Sequence, residues 1–222
     1  RMTVVPNAVN LRHFPRVPAR DPALAQALGL GGGPVLGFIG RFHPYEGLDL
    51  LLAAMPAMLQ MRPGLQLLLA GAGPREHWLK MRALQLGLGN SVVFACQPAP
   101  ERSAAFHALA DVLVFPRLPA RQADLVPDAR LLEAMARGCL VAASDVGAHR
   151  ELVEHGRTGV LFEAGKPDAL ADALGVLLAA PDRWAPMRGA ARWFVEYQRS
   201  WDVSVGRYAP VYQGLLERRR RH

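Results

Sequence analysis

Residues 112–147 read VLVFPRLPARQADLVPDARLLEAMARGCLVAASDVG, and their pattern decides the architecture. Val112–Phe115 is apolar at every position, a loop rich in arginine and proline follows, and Leu131–Arg137 repeats its apolar residues at helical spacing. Leu140–Ser144 is again continuously apolar and runs into Val146-Gly147. A strand, a helix and a second strand in that order form the unit of a parallel sheet. Strands apolar throughout, rather than at alternate positions, have both faces covered. The alternation continues outward. Val35–Ile39, Leu65–Ala70 and Val92–Phe94 precede it as strands and Val160–Phe162 follows, while Gly47–Met61, Arg75–Leu86, Glu101–Leu109 and Asp168–Ala179 carry helical spacing, with Pro, Gly or Asn at their ends. The expectation is an α/β fold, an open doubly wound parallel sheet of about six strands with helices on both faces.

After Pro181 no further strand is predicted. Trp184, Met187, Trp193, Phe194, Tyr197, Trp201 and Tyr208 crowd a helical region, which divides the chain into a ligand-binding domain over 1–180 and a helical extension of it over 181–222. Two readings of these bulky groups stand side by side. Either they pack on the sheet's own helices, or Trp193, Phe194, Tyr197 and Trp201 form a stripe for another domain or a second copy of the chain.

The 222 residues, 51% apolar, suffice for one large domain with a substantial core. No apolar run is long enough to cross a bilayer and no signal-peptide pattern is present, so a cytoplasmic location is expected. The net charge of +7 is spread along the chain, apart from the run Arg218–Arg221. That run reads as a solvated tail, with a tether to the surface of the inner membrane as the minority reading. Neither an RNA-recognition pattern nor helix-turn-helix spacing appears, which demotes nucleic acid as a partner. Cys96 and Cys139 sit in apolar runs and read as small buried hydrophobes. His43, His107, His149 and His155 do not fall at ligand spacing, so neither a metal nor another cofactor is expected, and His149 with Glu151 reads as a helix-start pair.

Glycine turns follow three of the predicted strands, at Gly40-Arg41, Gly71-Ala72-Gly73-Pro74 and Gly147-Ala148. In a parallel sheet the C-terminal strand ends face the ligand crevice, and glycine lets backbone come close to a phosphate or a sugar. The second turn lacks the further glycine of a dinucleotide fingerprint, which disfavours NAD. Within 112–147, the N-terminus of the helix leading to Glu133 would present backbone N–H groups to a pyrophosphate, with arginines nearby to neutralise it.

Val4-Val5-Pro6-Asn7-Ala8-Val9-Asn10, Gly40-Arg41-Phe42, Glu46-Gly47-Leu48-Asp49-Leu50-Leu51, Ala70-Gly71-Ala72-Gly73-Pro74, Ala110-Asp111-Val112 and Leu132-Glu133-Ala134-Met135-Ala136 together resemble the C-terminal domain of the retaining, family-four glycosyltransferases of the GT-B fold. The resemblance runs from about Val4 to about Leu178 and implies a Rossmann-like, donor-binding half whose N-terminal acceptor domain is absent. It implies a nucleoside-diphosphate sugar as substrate, with the base received at Ala95-Cys96-Gln97. Glu133 would hold the ribose hydroxyls and Arg41 the phosphate. The backbone at Leu125 and Val126 would meet the diphosphate, and Asp124 would stand near the anomeric centre as the catalytic acid.

Two departures stand out. Asp124 and Glu133 lie further apart than the family's two acids, and Glu46 occupies the place where the family carries a phosphate-clamping lysine. Arg117, Arg121 and Arg130 flank the same loop and are the candidate replacements, since guanidinium suits bidentate phosphate contact. An exopolysaccharide-type subgroup looks similar on both counts. Two other functions fit the same fold: a nucleotide-sugar epimerase or phosphorylase, and a non-catalytic nucleotide-binding or interaction module.

Overall fold

The computed structural model describes residues 3–219. In chain order the elements are α1 (Pro22–Ala27), β1 (Val35–Arg41), α2 (Leu48–Met61), β2 (Gln66–Ala72), α3 (Glu76–Gln85), β3 (Val92–Ala95), α4 (Ser103–Leu109) and β4 (Val112–Phe115). They continue with α5 (Arg121–Leu125), α6 (Ala129–Ala136), β5 (Val141–Ser144), α7 (Gly147–Arg150), β6 (Val160–Phe162), α8 (Pro167–Ala179), α9 (Trp184–Gln198), α10 (Trp201–Gly206) and α11 (Ala209–Arg219). All six strands anticipated from the sequence form. They pair in parallel in the order β3-β2-β1-β4-β5-β6.

Alternate residues of each strand enter opposite layers. Leu36, Phe38, Leu67, Leu69, Val112 and Val114 pack beneath Leu51 and Met55 of α2, Leu79 of α3 and Leu174 of α8. On the other face Val35, Leu68 and Ala70 meet Ala25 of α1 and Phe106 of α4, while Leu113, Phe115, Val141 and Ala143 meet Leu131 and Met135 of α6 and Val195 of α9. Burial of a side chain such as Phe38 is worth about 1.5–3 kcal/mol. Both faces are covered, as continuous apolarity requires.

The sheet order reverses direction between β1 and β4. In open α/β sheets the ligand crevice lies beyond the carboxyl ends of the strands at such a switch point. Gly40 and Arg41 end β1 there, and Phe115, Pro116 and Arg117 leave β4 beside them.

Three local features differ from the sequence reading. The 117–130 segment is not all loop, because Arg121–Leu125 closes one helical turn, too short to show a period between Pro119 and Pro127. Pro22–Ala27 is a helix capped by Asp21, whose carboxylate accepts the Ala23 and Leu24 amides. Cys139 is buried as expected, but Cys96 is exposed, because β3 ends at Ala95.

Beyond β6 the chain is helical, and Ala191 and Val195 of α9 dock on α6. Arg192 reinforces this by bonding the Ala136 and Phe14 carbonyls. Trp193, Tyr197 and Trp201 are at least half exposed, with the first two rings stacked 5.0 Å apart, whereas Phe194 packs against the α6 layer. The stripe therefore consists of three of the four aromatics. The early chain joins this region. The Val9 amide donates to the Arg199 carbonyl and the Trp201 amide to the Val9 carbonyl, so that Val9 and Ser200 form a parallel bridge. Trp201 Nε1 bonds the Ala8 carbonyl and Ser204 Oγ that of Pro6. The arginine run from 218 to 221 lies outside the residues whose side chains are described.

One half-buried group sets a pH dependence. Burial holds the His107 imidazole on α4 down to about 4, against the hydrogen bond of Nδ1 with the Ser103 carbonyl at 2.7 Å, which raises it, and with Arg137, which lowers it further. The unfolded chain then binds a proton below about pH 6.5 that the folded chain refuses until about 4. Stability is thus fully present above 6.5 and is lost as the pH falls toward 4, by up to about 2–3 kcal/mol. Urea unfolding of the parent and of His107→Gln across this window should give a distinctly flatter curve for the variant; parallel curves would contradict the assignment.

Candidate functional site

Four charged residues and a histidine, from four segments, converge at the switch point. Glu46 ends a short helical turn after β1, Arg117 follows β4, Asp128 and Arg130 open α6, and His149 lies on α7. Glu46, Arg117, Asp128 and His149 are buried, and Arg130 keeps part of its guanidinium at the surface. Arg130 Nη2 donates to both Glu46 carboxylate oxygens at 2.6 Å. Asp128 Oδ2 lies 3.3 Å from the same nitrogen, 3.0 Å from Arg117 Nη2 and 3.5 Å from His149 Nε2. Arg117 Nη1 bonds the Val126 carbonyl at 3.0 Å, and His149 Nδ1 lies 2.9 Å from the Ser144 carbonyl. One buried carboxylate thus ties together the ends of β4 and β5 and the start of α6.

The electrostatics follow from this packing. Burial pushes the Asp128 carboxyl upward, but His149 alongside and the charges of Arg130 and Arg117 outweigh it and hold the group well below the usual carboxylate range. Burial likewise works against the charge on Arg130, and Asp128 and Glu46 more than restore it. Glu133, further along α6, is half-buried. Its burial raises the carboxyl above its ordinary value, only partly offset by Arg137.

A cavity of about 290 Å³ opens over this cluster, lined by Arg41, His43, Tyr45, Glu46, Arg117, Asp128 and Arg130. A smaller one of about 90 Å³ adjoins it and shares Tyr45 and Arg117. His43 and Tyr45 stack at 5.2 Å on its wall. Arg41 is exposed and has no hydrogen-bond or ion-pair partner among the described residues. No group of three His, Cys, Asp or Glu residues that could hold a metal occurs among the described residues, and none of their helices is long and apolar enough to cross a membrane.

Apart from Glu133 on α6, which lines neither cavity, the sequence-derived site residues separate into three groups. Gly40, Arg41, Arg117 and Arg130 meet at the cavity. Gly40 plays another part than exposing backbone to a ligand, because a Cβ there would lie 2.5 Å from Arg130 Nη1; the missing side chain makes room for the arginine. Gly71 pairs with Gly40 in register, and Gln97 is exposed just past β3, so both stand on the same rim of strand ends. The third group is turned to other work. Asp124 lines neither cavity; its Oδ1 accepts the Gly147 amide at 2.7 Å and so caps α7. The Val126 amide is spent on the Gln122 carbonyl, because α5 claims it, and so is not free for a diphosphate. The side chains of Leu125 and Val126 are exposed, and Arg121 opens α5 outside the larger cavity.

Asp128 and His149 were the residues missed. Asp128 is the N-cap of α6 and its Oδ1 accepts the Arg130 amide at 3.1 Å. The helix N-terminus expected to meet a pyrophosphate therefore already carries an anion of the chain itself. An aspartate immediately before a helical apolar run is an N-cap signal and could have marked it. His149 faces Asp128 and Ser144 rather than Glu151, which corrects its reading as a helix-start pair.

Comparison with known proteins places this geometry. The family described as "Glycosyl transferases group 1" matches residues 33–180. A GDP-mannose-dependent alpha-(1-6)-phosphatidylinositol monomannoside mannosyltransferase of Mycobacterium tuberculosis is 32% identical over 215 residues, 95% of this chain and 55% of that protein. A D-inositol 3-phosphate glycosyltransferase of Thermobispora bispora is 36% identical over 230 residues, 98% of this chain and 51% of the relative. The chain spans about half the length of these curated relatives. Among solved structures, sucrose-phosphate synthase from Thermosynechococcus elongatus superposes with a TM-score of 0.77 at 26% identity, over 96% of this chain and 52% of that one. HepE of Anabaena in complex with UDP-glucose superposes with a TM-score of 0.77 at 23% identity, over 97% and 57%.

Proposed function

The chain belongs to the group 1 glycosyl transferases, and on that premise we propose that it is the donor-binding half of an enzyme that moves a sugar from a nucleoside diphosphate to a hydroxyl acceptor with retention. The observation that carries the reading is the continuous rim of strand ends. Gln97 follows β3, Gly71 is the last but one residue of β2, Gly40 and Arg41 end β1, and Arg117 follows β4. Three strand steps of about 4.8 Å span roughly 14 Å, on the order of the length of a nucleoside diphosphate. The base would lie toward Gln97, the ribose against Glu133, and the diphosphate over the cationic cavity at Arg41, Arg117 and Arg130. Asp124 would contribute by fixing the Gly147 turn that it caps.

In this reading the protein supplies no nucleophile. It orients the donor, and the arginines support the charge that gathers on the departing diphosphate. The relatives named for GDP-mannose make a guanosine donor the first to try, and a glycolipid or polysaccharide the class of product. Their greater length supports a further, acceptor-binding half, for which the exposed stripe of Trp193, Tyr197 and Trp201 offers a face. The chain by itself is then expected to bind donor without turnover.

A second reading has a specific observation in its favour. Glu46 and Asp128 compensate two of the cavity's arginines, as they would in a module that no longer transfers sugar. Calorimetry with GDP, UDP and their sugars tests both. A diphosphate is expected to bind, and Glu133→Ala to weaken it by about 1–3 kcal/mol, roughly five- to 150-fold, through the lost ribose contacts. Absence of nucleotide binding would remove the donor-site reading, and unchanged affinity in the variant would remove Glu133 from it.

A further inference from the structure

The donors of Arg130 are unequally occupied. Nη2 is held by both oxygens of Glu46 at 2.6 Å and by Asp128 Oδ2 at 3.3 Å, while Nε faces Asp128 Oδ1 at 3.4 Å. Nη1 has no hydrogen-bond partner among the described residues. It stands over Gly40 on the rim, where any side chain at that position would collide with it. Both carboxylates are almost wholly buried, at 3% exposure for Glu46 and 2% for Asp128. A long arginine that ordinarily samples many rotamers is thereby fixed by two rigid anions on its inner edges, and its outer edge is left toward the cavity.

We propose that Glu46 is a positioning residue for the diphosphate site: with Asp128 it presents Nη1 of Arg130 as the phosphate-binding donor, so that Glu46 and Arg130 act as one charge-reversed unit. The proposal rests on the donor-site reading above and specifies which groups perform it. Arg117 and Arg130 carry two positive charges and Glu46 and Asp128 two negative ones, so these pairs cancel and Arg41 is left as the uncompensated cation of the cavity wall. Phosphate would then be recognised by the directional N–H donor of Arg130 together with the charge of Arg41. A glutamate at position 46 is consequently a working part of the site. A lysine there would face Arg130 at close range and push the guanidinium off Gly40.

The test compares GDP and UDP with guanosine and uridine on the full 222-residue chain, by calorimetry and NMR titration, at low and moderate salt. The ratio of nucleoside to diphosphate dissociation constants reads the phosphate contact alone. Glu46→Lys is expected to lower that ratio at least tenfold while leaving nucleoside binding unchanged, a pattern that general loss of structure would not give. Glu46→Gln, which keeps a hydrogen-bonding oxygen and the shape, should lower it about threefold. In Glu46→Lys/Arg130→Ala the lysine stands without its repelling neighbour, and part of the ratio should return. A ratio at or above the parent's in Glu46→Lys would overturn the proposal, as would an unchanged ratio in Glu46→Gln should the lysine variant fail to fold. If the parent binds no nucleotide at all, the donor-site reading falls first, and this inference with it.

Discussion

Replacing Asp128 by alanine is expected to lower the unfolding free energy by about 3–5 kcal/mol, the usual cost of removing one partner from a buried ionic cluster. The carboxylate is 2% exposed and has two cationic neighbours, Arg117 at 3.0 Å and Arg130 at 3.3 Å, with the His149 ring 3.5 Å away. Its removal leaves the Arg117 guanidinium buried without its counter-charge and takes the N-cap from α6 as well. Asp128→Asn keeps the shape and the capping oxygen and should lose less. The midpoint of urea unfolding should fall at unchanged slope. The acid limb gives an independent check. Because the folded carboxyl titrates below its unfolded value near 3.9, its contribution is complete above that pH and is lost only as the pH falls through the depressed folded value. Parent and variant should therefore differ most near neutrality and converge in strong acid. A difference at neutral pH below about 1 kcal/mol would mean that the cluster is not the restraint its distances imply.

The second large effect is expected at Gly47, where Gly47→Ala should cost about 2–5 kcal/mol. This residue joins Glu46 to α2 at φ 70° and ψ 23°, in the left-handed region, and a Cβ would overlap the carbonyl oxygen of Pro116. Left-handed backbone costs a non-glycine residue about 1–2 kcal/mol, and forced overlap in a packed setting about 1–3 more. Gly29→Ala is the matched control, since Gly29 has φ +72° and nothing within 4 Å of its missing Cβ. The excess of the Gly47 variant over this control isolates the steric share. Equal losses would locate the whole effect in the backbone conformation. A shift that relieves the overlap displaces the neighbouring Glu46, so the same variant should weaken diphosphate binding.

The sheet was legible because its strands are buried on both faces, and continuous apolar runs such as Leu67–Ala70 and Val112–Phe115 leave few alternatives. The order β3-β2-β1-β4 then follows from the doubly wound topology, and the rim carrying Gly40, Arg41 and Arg117 follows from the order. What lay beyond the sequence is the choice of partner among charges. Glu46 and Arg130 are 84 positions apart, and no spacing rule connects them. Nor does spacing link Asp128 to His149 on α7. Asp124 and Asp128 are both acids before the same helix, and only the turn formed by Arg121–Leu125 decides that the first caps Gly147 while the second faces the cavity. Cys96 was misread for a simpler reason, since β3 ends one residue before it.

The seam between Pro6–Val9 and Arg199–Ser204 joins residues up to 198 positions apart. Such a closure costs more chain entropy than the contact of α9 with α6, although the cost grows only logarithmically with separation. The seam should therefore zip last, on a sheet already formed, and open first when the protein breathes. Because Val9 and Ser200 run parallel, a tensile load applied to the two sides of the seam in the N-to-C sense meets their hydrogen bonds in shear and strains them together. The part of the molecule that is last to assemble is thus aligned to resist force along the chain.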